Sequence, residues 1–385
     1  MNLTYEQIQS IDKSLPAYIF DTDRFKDNIS RFRQTLSGKV SLCYSVKANP
    51  WLIPYALDEI DFIEVCSAGE LDICTSLRAD PATIISGGIC RDIHDFNHAL
   101  SKGIRRFSIE SLRQLALLNY ACHSLDRAAS ALLRLTNNNQ FGMTAGEALN
   151  LLSQREDYPR VRISGLHFYP GTQRLSVDKL SQEFALFLAM LEQLKGFPIE
   201  EIAYGSGLGV DYFSPLDERV LLEATANHLN QLADDYKVTF ESGRALTADA
   251  GMYITKLVEI KQRGNEYYYI VNGGRHQISY YGHPVSAHNP PISCVCAHSD
   301  EALNRVTVCG ALCNAGDILA RNIRMPAACE GDYILFHLAG AYAVTEGTAL
   351  FLSRELPAVF SMTNGQMALV RDLRPTFDLN LNLNA

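Results

Sequence analysis

The sequence predicts an α/β protein, a (β/α)8 barrel of the TIM type followed by a β-rich domain. Three observations carry this. Eight short apolar runs alternate with longer helical patterns through the first 245 residues. After about residue 245 the helical periodicity fades and β-type runs take over. A doubly wound sheet is the alternative, but no dinucleotide-binding glycine fingerprint follows the first strand.

A strand at 17–21 (AYIFD) comes first. The eight barrel runs are 40–46 (VSLCYSV), 62–65 (FIEV), 83–86 (TIIS), 105–109 (RRFSI), 131–135 (ALLRL), 163–168 (ISGLHF), 201–204 (EIAY) and 238–241 (VTFE). Their continuous apolar character suits strands buried on both faces. Helical patterns fill 50–59, 69–78, 93–101, 111–120, 144–154, 175–195 and 215–235. Beyond the barrel, 254–261, 267–272, 305–309 and 333–338 are expected strands. The expected organisation is an N-terminal segment at 1–22 packing on the β domain, a barrel at 23–245 and a C-terminal β-sandwich or barrel at 246–385. The polar tail FDLNLNLNA is expected to fray.

Composition narrows the function. The chain has 385 residues and a net charge of −9, with 47% hydrophobic and 20% charged residues. Nothing electrostatic favours nucleic acid or an anionic membrane. No apolar run approaches the roughly 20 residues needed to span a bilayer, and the N-terminus lacks the form of a signal peptide, so a cytoplasmic location is expected. Ten cysteines scattered through so long a chain do not resemble a secreted disulfide scaffold. Cys294 and Cys296 with His298 form the tightest cluster, but a zinc site needs a fourth ligand and a more usual spacing, so no metal is expected.

Function in such barrels sits at the C-terminal strand ends. Lys47 follows the first barrel run, His167 closes the sixth, the GSGLG loop (205–209) follows the seventh, and Glu241 ends the eighth within ESGR. Each alone has an ordinary explanation: a solvated lysine, a hydrogen-bonded histidine, a glycine turn, a rim ion pair. Together they match the needs of pyridoxal 5'-phosphate. A lysine amine forms the Schiff base. A carboxylate such as Glu241 keeps the pyridine nitrogen protonated, and an imidazole such as His167 can stack on the ring. Closely approaching backbone N–H groups around Gly205, Ser206, Gly207 and Gly243, with Arg244 nearby, suit a phosphate.

These segments resemble, in order, the fold-type III pyridoxal-phosphate decarboxylases, which include the diaminopimelate, ornithine and arginine decarboxylases. YSVKANP resembles the segment with the Schiff-base lysine. GLHFYPGTQ resembles the stacking-histidine segment, GSGLGVDY the phosphate loop and ESGRAL the E-P-G-R motif. GALCNAGDIL (310–319) and GAYAVT (340–345) resemble the segments carrying a catalytic cysteine and a phosphate-holding tyrosine. The resemblance implies an alanine-racemase-like barrel, a head-to-tail homodimer with shared active sites, Tyr342 on the phosphate, and decarboxylation of a small amino-acid-like substrate. Cys313, contributed in trans, or Lys47 would return a proton to Cα.

The departures fall at substrate-contacting positions. Asn314 stands where an acidic residue holds the distal ammonium of diamine-forming substrates, and a neutral amide cannot make that charge-assisted bond. In NGGRHQISYYG (272–282), the position of the substrate-carboxylate arginine falls on Tyr280, leaving Arg275 or His276 as possible replacements. Arg275, His276, Asn314 and Asp317 are therefore candidate substrate contacts. The sequence, including IVNGGRHQ…GHPVSAHNPP, resembles the divergent branch that decarboxylates citrate–amino-acid intermediates of carboxylate siderophores. A diaminopimelate-, ornithine- or lysine-type decarboxylase is the alternative. A racemase on the same scaffold is disfavoured by Glu241. A non-catalytic pyridoxal-phosphate-binding or regulatory homologue is disfavoured by the retention of Lys47 and Cys313.

Overall fold

A computed structural model describes residues 1–213, 217–280, 288–298 and 302–382. It divides into two compact units, one chiefly Met1–Asp27 with Leu246–Ala385, the other chiefly Asn28–Asp211 with Leu216–Ala245.

The latter unit is a closed barrel of eight parallel strands. With β1 assigned to Ala17–Asp21, the barrel strands are β2 (Val40–Ser45), β3 (Phe62–Val65), β4 (Ile84–Ser86), β5 (Arg106–Ile109), β6 (Ala129–Leu135), β7 (Val161–Phe168), β8 (Glu201–Tyr204) and β9 (Lys237–Ser242). All eight expected runs are present, most within one or two residues of the expected bounds. Closure by β2 against β9 aligns Cys43 with Glu241, and the β2–β3 pairing sets Ser45 opposite Glu64.

The helices between the strands start at side-chain caps. Ser67, Asp92, Ser111, Thr144, Ser176 and Asp217 each accept a backbone N–H from the first helical turn. Each cap satisfies a donor that the helix cannot, contributing about 1 kcal/mol. Two expectations need correction. The helix expected at 50–59 is a tight turn, Pro50–Leu52, and a short helix, Ile53–Ala56, because Pro50 and Pro54 remove two backbone donors. A helix not expected, Thr22–Thr35, buries Phe25, Ile29 and Phe32 along one stripe, a pattern obscured by its dense charge.

The other unit holds a nine-stranded sheet. Its later strands are β10 (Gly251–Arg263), β11 (Glu266–Val271), β12 (Ile292–Val295), β13 (Leu303–Cys309), β14 (Ile318–Pro326), β15 (Tyr333–Phe336), β16 (Ala358–Thr363) and β17 (Gln366–Arg371). N-terminal β1 lies between β10, antiparallel, and β16, parallel. Ala17 and Ile19 of β1 pack with Met252, Ile254, Leu335 and Phe360 in one core. Strands β12, β14, β16 and β17 were not foreseen; β14 and β17 are half-exposed and lack a sustained apolar pattern.

Candidate active site

Each barrel strand carries polar residues within a largely apolar run, and several of these lie at the C-terminal ends. Lys47 sits in the turn Val46–Ala48 directly after β2. Its Nζ lies 2.7 and 2.9 Å from the two carboxylate oxygens of Glu64 on β3. It is also 3.5 Å from Cys66 Sγ. The Lys47 side chain keeps 36% of its surface exposed and that of Glu64 only 7%, so the amine is reachable while its counter-ion is not. Burial alone would raise the Glu64 carboxyl, but the adjoining Lys47 ammonium outweighs it and holds the group well below the ordinary carboxylate range. Cys66 donates to Glu64 at 3.0 Å. Desolvation and then the Glu64 charge push its thiol far up, so it stays protonated.

His167 lies near the end of β7, with its Nδ1 2.7 Å from Ser108 Oγ on β5. Its Nε2 is 3.0 Å from Glu241 Oε2, both side chains being almost fully buried. That contact is off the line a hydrogen bond requires. His167 Nε2 therefore has no hydrogen-bond partner among the described residues, and neither has the other carboxylate oxygen, Glu241 Oε1. Ser206 Oγ in the glycine loop is likewise buried and unpartnered. Three buried polar atoms left open at one end of a barrel are costly unless a ligand satisfies them.

Backbone shape reinforces this. Gly207 has φ +66°, and a Cβ there would run into the Gly171 carbonyl, so only glycine suits the turn. A Cβ on Gly243 would sit 2.8 Å from Ala48 Cβ. Glycine thus lets the loop after β9 close against the turn that carries Lys47. Arg244, buried, opens the short helix Arg244–Thr247.

These features fit pyridoxal phosphate. Lys47 offers the amine and Glu241 an open carboxylate oxygen for a ring nitrogen. The Gly205–Gly207 turn with Ser206 offers donors for a phosphate. Residues that sequence reasoning missed include Glu64, Ser108, Tyr169 and Arg134. Lys47 Nζ is 5.8 Å from the centroid of the Tyr169 ring. Arg134 pairs with buried Glu110 at 2.5 Å, and Glu110 also accepts from Gly142 N at 2.6 Å. A charged residue inside a short apolar run, as in FIEV and ALLRL, was the available signal, because such a strand buries whatever it carries.

The remaining predicted residues lie in the β unit. Cys313 and Asn314 form an exposed turn after β13, tied by Asn314 N to Leu312 O at 2.8 Å and Gly316 N to Asn314 Oδ1 at 2.8 Å. Asp317 is buried and accepts from Arg275 N and Leu312 N, both at 2.8 Å, so its carboxylate organises the turn. Burial raises the Asp317 carboxyl, opposed by those backbone donors. His276 is buried with no partner on either ring nitrogen among the described residues. Burial, with Arg354 nearby, pushes it down to about 4, so it is neutral at ordinary pH. Tyr342 is partly buried with φ +64°. Tyr280 is a core residue donating to the His337 carbonyl at 2.5 Å. Residues 281–287 (YGHPVSA) lie outside the described residues. Cys294 Sγ and Cys296 Sγ are 3.3 Å apart. Among the described residues no group of three His, Cys, Asp or Glu is placed to hold a metal, and no helix is long and apolar enough to cross a membrane.

A barrel whose strand ends present a reachable lysine amine, an open buried carboxylate and a tight glycine turn fits a pyridoxal-phosphate enzyme. Residues 22–248 match the family model for the pyridoxal-dependent decarboxylases, pyridoxal binding domain, and the chain belongs to that family. It is a decarboxylase dependent on pyridoxal phosphate. Among its relatives is the 2-[(L-alanin-3-ylcarbamoyl)methyl]-2-hydroxybutanedioate decarboxylase of Staphylococcus aureus, 26% identical over 93% of this chain and 96% of that protein. The diaminopimelate decarboxylase of Zymomonas mobilis is 26% identical over 94% of this chain and 91% of its own length. In fold, the chain matches the diaminopimelate decarboxylase of Helicobacter pylori complexed with L-lysine, with a TM-score of 0.86 over 96% of this chain and 98% of that one, at 20% identity.

Proposed function

We propose that this enzyme decarboxylates an amino-acid conjugate, a citrate–amino-acid intermediate of carboxylate siderophore biosynthesis, in a head-to-tail homodimer with shared active sites. The observation that carries the chemistry is the open Glu241 oxygen buried on the same barrel end as the Lys47–Glu64 pair.

Bound pyridoxal phosphate supplies an electron sink for the pair of electrons left at Cα when CO2 departs. The chain's residues do the rest. Lys47 would hold the cofactor through its amine. Glu64 orients the lysine and balances its charge. Glu241, through its open oxygen, would keep a proton on the cofactor's ring nitrogen. His167, fixed by Ser108, would lie against the cofactor ring. Gly205, Ser206, Gly207, Gly243, Arg244 and Tyr342 would hold the phosphate. Cys313, from the partner subunit's turn, or Lys47 returns the proton to Cα. Its exposure in the monomer suits a group that acts elsewhere than in its own barrel.

The substrate reading rests on Asn314, on the buried Tyr280 and on the named substrate of the S. aureus relative, a hydroxybutanedioate joined by an amide to alanine. A diaminopimelate-type substrate needs a charged partner for its distal ammonium, which Asn314 does not provide. A CO2-release screen tests this directly. Citryl–amino-acid conjugates should turn over at least tenfold more efficiently than diaminopimelate, lysine or ornithine. Efficient release from diaminopimelate would defeat the assignment.

A further inference from the structure

Two arginines in the β unit bracket the Cys313 turn from opposite ends. Arg354 Nη2 donates to the Ala311 carbonyl at 2.8 Å, just before Cys313. Arg275 Nη1 reaches the Gly316 carbonyl at 3.4 Å, just after it. Neither forms an ion pair with a carboxylate among the described residues. Asp317 is the nearby acid, but its two oxygens are taken by the backbone amides of Arg275 and Leu312. That leaves two cations beside one committed carboxylate, an excess positive charge on an exposed turn of a protein with net charge −9.

Local packing holds this arrangement. A Cβ on Gly316 would come within 3.1 Å of Arg275 Nη1, so the small residue leaves the guanidinium lying against the turn. Around Gly274, next to the Asp317 carboxylate, lies His276, buried with both ring nitrogens unpartnered among the described residues. Its imidazole, neutral because it is buried, offers one donor and one acceptor without adding charge. Guanidinium groups bind carboxylates through paired N–H donors, and two of them held by backbone carbonyls lose little freedom on binding.

We propose that Arg354 and Arg275 form a carboxylate clamp astride the Cys313 turn, which recognises a remote carboxylate of the substrate. The clamp explains how an enzyme with Tyr280 buried in its core selects a polyanionic conjugate over a plain diamino acid. It deepens the substrate assignment above and rests on that reading, but it can be tested apart from turnover.

The test is calorimetric titration of the holoenzyme with tricarballylate, a tricarboxylate that lacks an amine and cannot engage the cofactor. The wild type should bind it. Arg354→Gln and Arg275→Gln should each weaken binding at least tenfold, Arg354→Lys should recover part of the loss, and Arg263→Gln, on a distant hairpin, should change nothing. The cofactor's visible absorbance, unchanged in each variant, reports an intact fold. In steady state, Arg354→Gln should raise KM for the citryl conjugate with kcat within about twofold. Absence of tricarballylate binding by the wild type, or binding indifferent to both arginines, would overturn the clamp even if the conjugate is decarboxylated. Arginine-dependent binding without CO2 release from any citryl conjugate would keep the clamp and overturn the substrate assignment instead.

Discussion

Among residues, the proposed chemistry starts from the Lys47–Glu64 pair. A half-exposed amine against a buried carboxylate is held in one place by the ion pair. Lys47→Ala should abolish the cofactor's visible absorption band and all CO2 release, as read by spectrophotometry and gas trapping. Glu64→Gln keeps the shape but removes the counter-charge. It should cost about 2 kcal/mol of transition-state stabilisation, or roughly thirtyfold in kcat/KM, with the band retained. His276 makes a prediction for stability. Its folded-state pKa is depressed by burial to about 4 from an ordinary 6.5. Between those values the unfolded chain binds the proton and the folded chain does not, so stability falls as pH drops from about 6.5 towards about 4. The full effect is at most about 3 kcal/mol. His276→Gln should flatten the Tm–pH curve over that window in thermal melts; an unchanged slope would place the acid sensitivity elsewhere.

At the scale of elements, turns and helix starts do the positioning. Asp92 accepts from His94 N and Asp95 N at the start of Ile93–Ser101. Asp92→Ala should cost about 1 kcal/mol and lower Tm by about 2 °C, without altering KM. The glycine loop is less forgiving. Gly207→Ala adds a Cβ at a positive φ against the Gly171 carbonyl. It should weaken cofactor retention at least tenfold, measured by dialysis and absorbance. The strands that hold these loops were legible because parallel strands covered on both faces are apolar throughout. Helix Thr22–Thr35 was not, since its buried stripe of Phe25, Ile29 and Phe32 lies among eight charged or amide side chains. Glu64 was passed over for a related reason. Inside FIEV it reads as one polar residue in a strand, and only the β2–β3 pairing brings it to Lys47.

For the whole molecule, the proposed exchange of Cys313 between subunits has a measurable consequence. Lys47→Ala and Cys313→Ala homodimers should each be nearly inactive. Mixed under conditions that exchange subunits, half the dimers become hybrid, and each hybrid carries one intact site. Activity should recover to about a quarter of the wild type. No recovery, with exchange verified by native mass spectrometry, would place Cys313 in its own subunit's site or outside the reaction.

The sequence by itself determined the barrel, the β-rich unit and the cofactor. These depend on local patterns: apolar runs for strands, and residue types that one cofactor demands in a set order. Tertiary structure alone decided which polar groups meet. It paired Lys47 with Glu64 and braced His167 with Ser108. It turned Asp317 inward as the organiser of the Cys313 turn, removed Tyr280 into the core and set Arg275 and Arg354 on either side of Cys313. Such pairings depend on strand register, closure and burial, which bring together side chains separated by tens of residues and leave no periodic trace in the chain.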